Sequence, residues 1–269
     1  MCKYAFEVRE ISKEEALDMV QKYHYSNTLP RQNKHFVGFY LDDRLVGVVT
    51  LGWGTRPLHT IRKLFPSLTT KDYLEIGRMC MTEDMPKNSE TQMLSQLVKW
   101  IKKNLPKIKV LFTWADGMLG KVGYVYQAAN FIYAGYSETD IYMKDGIKIH
   151  PRQMKPFLVP EGVIDNRIGV RPTRQQMIDL GFDHYKGHQY KYFMILADKR
   201  ERQRLMEEWA STKSQILMDS KGRISFSHPK NSDLSWKKLN LETGKWDICG
   251  KPPYRTDIDK DSRHIVKIA

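Results

Sequence analysis

The sequence predicts an α+β fold in which a mixed sheet is flanked by helices, and three observations carry that expectation. Short alternating or apolar runs of strand length recur from the N-terminus to "QYKYFMILA". Two longer segments, after Ser12 and Ser89, open with a serine followed three residues on by Glu15 or Gln92, the capping-box pattern. The early strands adjoin through a short turn whereas the later ones are separated by helices, so both antiparallel and parallel neighbours are required.

Taken in order, "YAFEVREI" alternates and reads as a first strand, and Ser12 opens a helix through about Tyr23. "HYSNTLP" breaks that helix, with Pro30 marking a loop. "HFVGFYL", Asp42-Asp43-Arg44 and "LVGVVTLGW" form a hairpin with an acidic turn. Residues 55–72 read as a short helical insertion before the strand "LEIGRMCM". In the helix opened by Ser89, Met93, Leu94, Leu97, Val98 and Ile101 recur at helical spacing, and Asn104 and Pro106 end it. "VLFTW" has the unbroken apolar character of a central strand and runs to Asp116. A helix follows after Gly117 and Gly120, then the strand "FIYAGYSETDIYM", bent at Gly135. Residues 144–189 read as an insertion before the last strand. "DKRERQRLMEEWAS" reads as a charged helix leaving the domain, and the remainder suggests turns and small hairpins. The expected organisation is a catalytic domain over 1–198 and a basic C-terminal extension over 199–269.

With 269 residues and 41% hydrophobic content, the chain can bury one large core and is not mainly disordered. No window of about 18 apolar residues predicts a membrane span, and "MCKYAFEVREIS" lacks the apolar stretch of a secretory signal. Three scattered cysteines (Cys2, Cys80, Cys249) make neither a disulfide framework nor a Cys-rich zinc site. A reduced, cytoplasmic, membrane-free protein is expected. The formal net charge of +13 favours a polyanionic partner, because neutralising phosphates releases condensed counterions. A basic surface that merely confers solubility has the same composition.

The order of elements from Val8 to Leu196 is similar to that of the acyl-CoA-dependent N-acyltransferases of the GNAT fold. Within it, "KYHYSNTLP", "LEIGRMCMTEDMPKNSETQML" and "WADGMLGKVGYVYQAANFIYAG" resemble the phage Mom family of DNA-modifying proteins. The resemblance implies transfer of a carbamoylmethyl or acyl-type group to adenine N6 in double-stranded DNA, in the cytoplasm of an infected bacterium, as protection against restriction. The GNAT likeness implies acyl-CoA, such as acetyl-CoA, as the group donor. The loop that cradles CoA pyrophosphate in the superfamily is glycine-rich, however, and here "TEDMPKNSET" has no glycine and carries Glu83, Asp84 and Glu90. Two other functions stay open: N-acylation of a different amine (a modified base, a tRNA or a protein), and a catalytically inactive GNAT fold that only binds nucleic acid.

Candidate residues follow. The resemblance makes a tyrosine on the helix after Gly123 the general acid; a phenol is protonated at neutral pH and can donate. Residues two apart on a helix point about 200° apart, and Tyr126 is the candidate, with Tyr124 on another surface. Asp116, at the carboxyl end of a central strand, can orient an amine, act as a base, or simply cap the next turn. His24 and Tyr25 sit where the first helix breaks, and Ser26 and Asn27 offer hydrogen bonds to a base edge. Arg78, Met79 and Cys80 lie on the strand that carries the cofactor arm in the superfamily; the Cys80 thiol itself reads as structural. Asn88 and Ser89 are candidates for a phosphate contact, or plain helix caps. Arg56, Arg62 and Lys63, beside Trp53 and His59, and Lys148, Arg152 and Lys155 form basic stretches suited to DNA phosphates. "DHYKGHQYKY" mixes basic and aromatic residues in the same way. No metal site is assigned, although His24 and Asp116 would suit one if they converged.

Overall fold

The computed structural model describes residues 5–26, 29–54, 60–149, 174–212 and 227–253, the side chains of Ile147–Ile149 excepted. In chain order the strands and helices are β1 (Glu7–Glu10), α1 (Lys13–Tyr23), β2 (Asn33–Leu41), β3 (Arg44–Gly52), α2 (Ile61–Leu64), β4 (Tyr73–Met81), α3 (Ser89–Asn104), β5 (Val110–Asp116), α4 (Tyr124–Ala128) and β6 (Ile132–Lys144). There follow β7 (Ile147–Ile149), α5 (Arg174–Asp179), β8 (Asp183–Ile195), α6 (Lys199–Ser211), β9 (Trp236–Leu239) and β10 (Trp246–Cys249). This is a mixed α+β fold, and among the described residues no helix is long and apolar enough to cross a membrane.

The chain folds into two units. The first comprises the described residues within Met1–Trp114, Gly123–Gly135 and Lys191–His228. Its strand order is β1-β2-β3-β4-β5-β8-β6. β1 to β4 pair antiparallel in sequence order, and β4 pairs with β5 in parallel. Asp42 and Asp43, both at positive φ (48° and 61°), make the tight β2–β3 turn, as the acidic hairpin signal predicts. α1 starts at the expected box: Glu15 N–H donates to Ser12 Oγ (3.1 Å) and Ser12 N–H to Glu15 Oε2 (2.9 Å). Its buried stripe, Ala16, Met19 and Val20, packs on Val48 and Cys80. On the opposite face, Ile61, Leu64 and Phe65 pack with Tyr73, Phe112, Phe193, Leu205 and Trp209.

That second cluster corrects one expectation. Lys199–Ser211 does not leave the domain: Leu205 and Trp209, four residues apart and therefore on one side of α6, are fully buried in this core. A further correction concerns Ser89. It is the first helical residue, not the cap; its hydroxyl donates to Pro86 O (2.6 Å), and Asn88 at φ 72° makes no side-chain cap bond.

The second unit comprises the described residues within Ala115–Val122, Tyr136–Tyr190 and Pro229–Ala269. β7 pairs antiparallel with β6, β9 with β8, and β10 with β9. Its core is Met118, Ile141, Met143 and Tyr185, with Trp236 and Cys249 against it. β8 begins at Asp183, well inside the stretch read as insertion, and His184, stacked on Tyr142, and Tyr185 are both buried ahead of "QYKYFMI". β9 and β10 are the small hairpin expected of the tail.

Candidate functional site

The parallel pairing of β4 with β5 is short. Tyr73, Leu74 and Glu75 align with Val110, Leu111 and Phe112, whereas β3 accompanies β4 as far as Met81. Beyond Glu75 the two parallel strands part, leaving a fork whose β4 edge carries Arg78, Met79 and Cys80. Glu75 stands at the point of parting. Its carboxyl lies against the backbone of Gly54, where any Cβ would collide with it and where φ is +69°. Burial raises the Glu75 carboxyl to about 7, against the opposing pull of a hydrogen bond from Trp114 and the charge of Arg78. No sequence motif marks this residue.

Arg78 joins the fork to the end of α1. Its Nη2 donates to Ser26 Oγ (2.9 Å) and its Nη1 to Gly77 O (2.7 Å). Ser26 N–H donates to His24 Nδ1 (2.9 Å), and the His24 ring stacks on Tyr25 at 4.2 Å between centroids. Nδ1 also lies 3.1 Å from Ser26 O, so this one ring nitrogen meets both the N–H and the carbonyl of Ser26 and holds the loop against the ring. Thus Arg78, named from the sequence for the cofactor arm, meets the loop of His24, Tyr25 and Ser26, named for the acceptor. Cys80 points away from this group: its buried thiol contacts Met19 O, and burial pushes it up to about 12, which fits a structural thiol.

Tyr126 and Tyr124 divide as helical geometry requires, the first buried and the second 52% exposed. Gly123, at φ 92°, starts α4, and the Tyr126 ring packs on Phe131 and Tyr192, each 5.6 Å away. Gln127 Nε2 donates to the Tyr192 hydroxyl (3.0 Å). Burial raises the Tyr126 phenol, with the Thr113 hydroxyl of β5 pulling weakly the other way. In the second unit, Asp116 caps the turn that follows: Met118 N–H donates to its Oδ1 (3.1 Å). Gly117 is wedged beneath His188 O and the Tyr190 ring, and its carbonyl accepts from Trp236 Nε1 (3.0 Å). Among the described residues no group of three or more His, Cys, Asp or Glu side chains is arranged to hold a metal ion.

The start of α3 carries no glycine. Ser89 N–H already donates to Pro86 O (3.1 Å). Asp84 is held down to about 2 by Arg44 (2.6 Å), and the two form an exposed ion pair. Asn88 and Ser89 therefore form a local turn. Arg62 and Lys63 are exposed on α2. Lys148 lies on β7 with its side chain outside the described set; Asn27, Arg56, Arg152 and Lys155 fall outside the described residues.

The Mom protein family matches residues 5–212, a span that contains His24, Glu75, Arg78, Asp116 and Tyr126. The methylcarbamoylase mom of Escherichia phage Mu is 30% identical over 190 residues, 71% of this chain and 75% of its own. Among solved structures, a Bacillus subtilis acetyltransferase in complex with CoA is 13% identical, with a TM-score of 0.39 over 72% of this chain and 100% of its own. A GNAT family acetyltransferase from Elizabethkingia anophelis with acetyl-CoA bound is 14% identical, with a TM-score of 0.35 over 71% of this chain and 97% of its own. At such scores these two likenesses carry no functional weight.

Proposed function

The chain belongs to the Mom protein family, and from that membership we propose that it modifies phage DNA by transferring a carbamoylmethyl-type group to adenine N6. The observation that carries this reading is the 30% identity to the phage Mu methylcarbamoylase over 190 residues. The place of action on this reading is the cytoplasm of an infected bacterium, and the product shields the phage genome from restriction.

The fork supports such chemistry. An adenine amine inside a duplex is shielded by stacking and pairing, so the base is extruded at a cost of a few kcal/mol. Its lone pair is delocalised into the ring, so attack needs both positioning and a proton acceptor. Glu75, poised near neutral pH, takes the N6 proton as the new N–C bond forms. Tyr126 keeps its proton and delivers it to the group leaving the donor. Arg78, Ser26 and the His24 ring offer polar contacts to the edge of the base, with Tyr25 as a stacking surface. Asp116 holds the turn at the end of β5. The acidic start of α3 argues for a donor other than acyl-CoA.

Nucleoside mass spectrometry of host DNA tests the reading. Expression of the chain in bacteria is expected to yield an adenosine of increased mass. Unmodified DNA in cells with soluble, folded protein would overturn it. The glycine-free start of α3 then favours the second reading, a fold that binds nucleic acid without catalysis. Acylation of another amine would show its product on RNA or protein.

A further inference from the structure

The sheet of the second unit buries one of its faces. Ile141 and Met143 of β6 and Tyr185 of β8 join Met118, Trp236 and Cys249 in the core. Residues one step along each strand point the other way. On β6 these are Tyr136, Glu138 and Asp140, all exposed. On β8, Lys186 stands directly opposite Lys237 of β9, which stands opposite Ile248 of β10, 84% exposed. Two ammonium groups so opposed repel each other, and among the described residues neither forms an ion pair. Lys186 Nζ lies 4.4 Å from the centre of the Trp246 ring, a favourable contact that fixes the side chain without neutralising it. Two residues along β8 from Lys186, the His188 ring packs on that of Tyr136, with 4.0 Å between centroids and 31° between planes. Tyr136 is 54% exposed, so this ring pair offers aromatic surface to solvent beside the lysines. Of the two carboxylates on the face, Asp140 is engaged by His184 at 2.9 Å.

We infer that this open face binds an unpaired stretch of the DNA, with a base stacked on the Tyr136 and His188 rings and the backbone phosphates on Lys186 and Lys237. This rests on the reading of DNA as substrate, because extruding a base from a duplex leaves unpaired nucleotides to be held. A lysine row beside exposed aromatic rings matches the two parts of a single strand, its charged backbone and its bases. A closed duplex keeps its bases stacked on one another and offers none to the rings. Stacking accepts every base, so the face grips a strand without reading its sequence. Glu138, the other carboxylate, can accept from the exocyclic amine of a stacked base. The run "DHYKGHQYKY" thereby acquires a role that its composition alone does not specify, since only its alternate residues face outward.

The test is binding of a labelled dT strand of about 12 nucleotides by the full-length protein, Tyr136→Ala, Tyr136→Phe and Lys237→Gln, over a salt series. Thermal melting confirms that each is folded, and both positions are exposed. Tyr136→Ala is expected to weaken binding about tenfold, and Tyr136→Phe, which keeps the ring, to bind as wild type. Lys237→Gln is expected to lower the salt slope by about 0.7, the single-strand value for one phosphate contact. Wild-type affinity in Tyr136→Ala would overturn the inference, as would an equal loss in Tyr136→Phe, which would put the hydroxyl and not the ring at work. Tighter binding of an RNA strand of matching sequence would also overturn it, pointing to an RNA partner. Nucleoside mass spectrometry on the expressing cells separates the two readings. Modified host adenine with no strand binding by the wild type overturns the inference and leaves the DNA reading standing. Unmodified adenine with strand binding that depends on the Tyr136 ring supports the face and overturns the reading of the chain as a DNA modifier.

Discussion

Arg78 on β4 donates from Nη2 to the hydroxyl of Ser26, just past the end of α1, at 2.9 Å. The bond joins two segments 52 residues apart and fixes the loop that also carries His24 and Tyr25. A guanidinium can hold Ser26 and Gly77 O at once, and a lysine cannot reproduce that planar fork. Arg78→Lys is therefore expected to reduce adenine modification about tenfold with thermal stability almost unchanged. Ser26→Ala should do less, since Arg78 keeps its bond to Gly77. Nucleoside mass spectrometry and melting curves on the same preparations check both; equal modification in Arg78→Lys and wild type would remove Arg78 from the site.

Tyr126→Phe separates packing from proton donation. The ring remains to pack on Phe131 and Tyr192, so a stability change within about 1 kcal/mol is expected. The hydroxyl is lost, and general-acid catalysis is worth about a hundredfold or more, so the modified fraction should collapse. Tyr124→Phe, on the exposed side, serves as the control and should behave as wild type.

Local rules account for what was legible in the sequence. The Ser12–Glu15 box marks the start of α1, and the 100° step of a helix separates Tyr126 from Tyr124, because both depend on residues within one turn. Ser89 has the same box pattern but follows Pro86, and the tight turn closed by its hydroxyl displaces the cap. Glu75 was invisible for a different reason. A glutamate in "LEIGRMCM" reads as the polar step of an alternating strand. Its character comes from Gly54 and Trp114, which are distant in sequence and meet it only once β4 lies between β3 and β5.

The charged helix α6 makes a prediction of its own. Its sequence is mostly polar, yet Trp209 is fully buried against Phe193 at 5.0 Å. Truncating a buried tryptophan leaves a large cavity, so Trp209→Ala should destabilise the protein by about 3–5 kcal/mol. Chains ending at Asp198 should fail to fold cooperatively. Denaturant unfolding measures both, and a wild-type midpoint in either would show that residues 199–211 are dispensable to the core.

Glu75 also predicts a pH dependence of stability. Its carboxyl is raised from an ordinary value near 4.5 to about 7 by burial, so between those values the folded chain binds a proton that the unfolded chain has released. The contribution of Glu75 is fully present below about pH 4.5 and is lost as pH rises through 7, a change of about 3 kcal/mol. Glu75→Gln keeps the side-chain shape and an oxygen to accept from Trp114, but has no charge to bury. Its melting temperature should therefore match wild type near pH 5 and exceed it by several degrees at pH 8, since each kcal/mol is worth about 2–4 °C in a chain of this size. Modification of DNA by this more stable variant should nevertheless be abolished, because Gln cannot take the N6 proton. A carboxyl that served only to hold the fork together would give the opposite pair of results, with stability reduced at pH 8 and modification retained in whatever fraction stays folded.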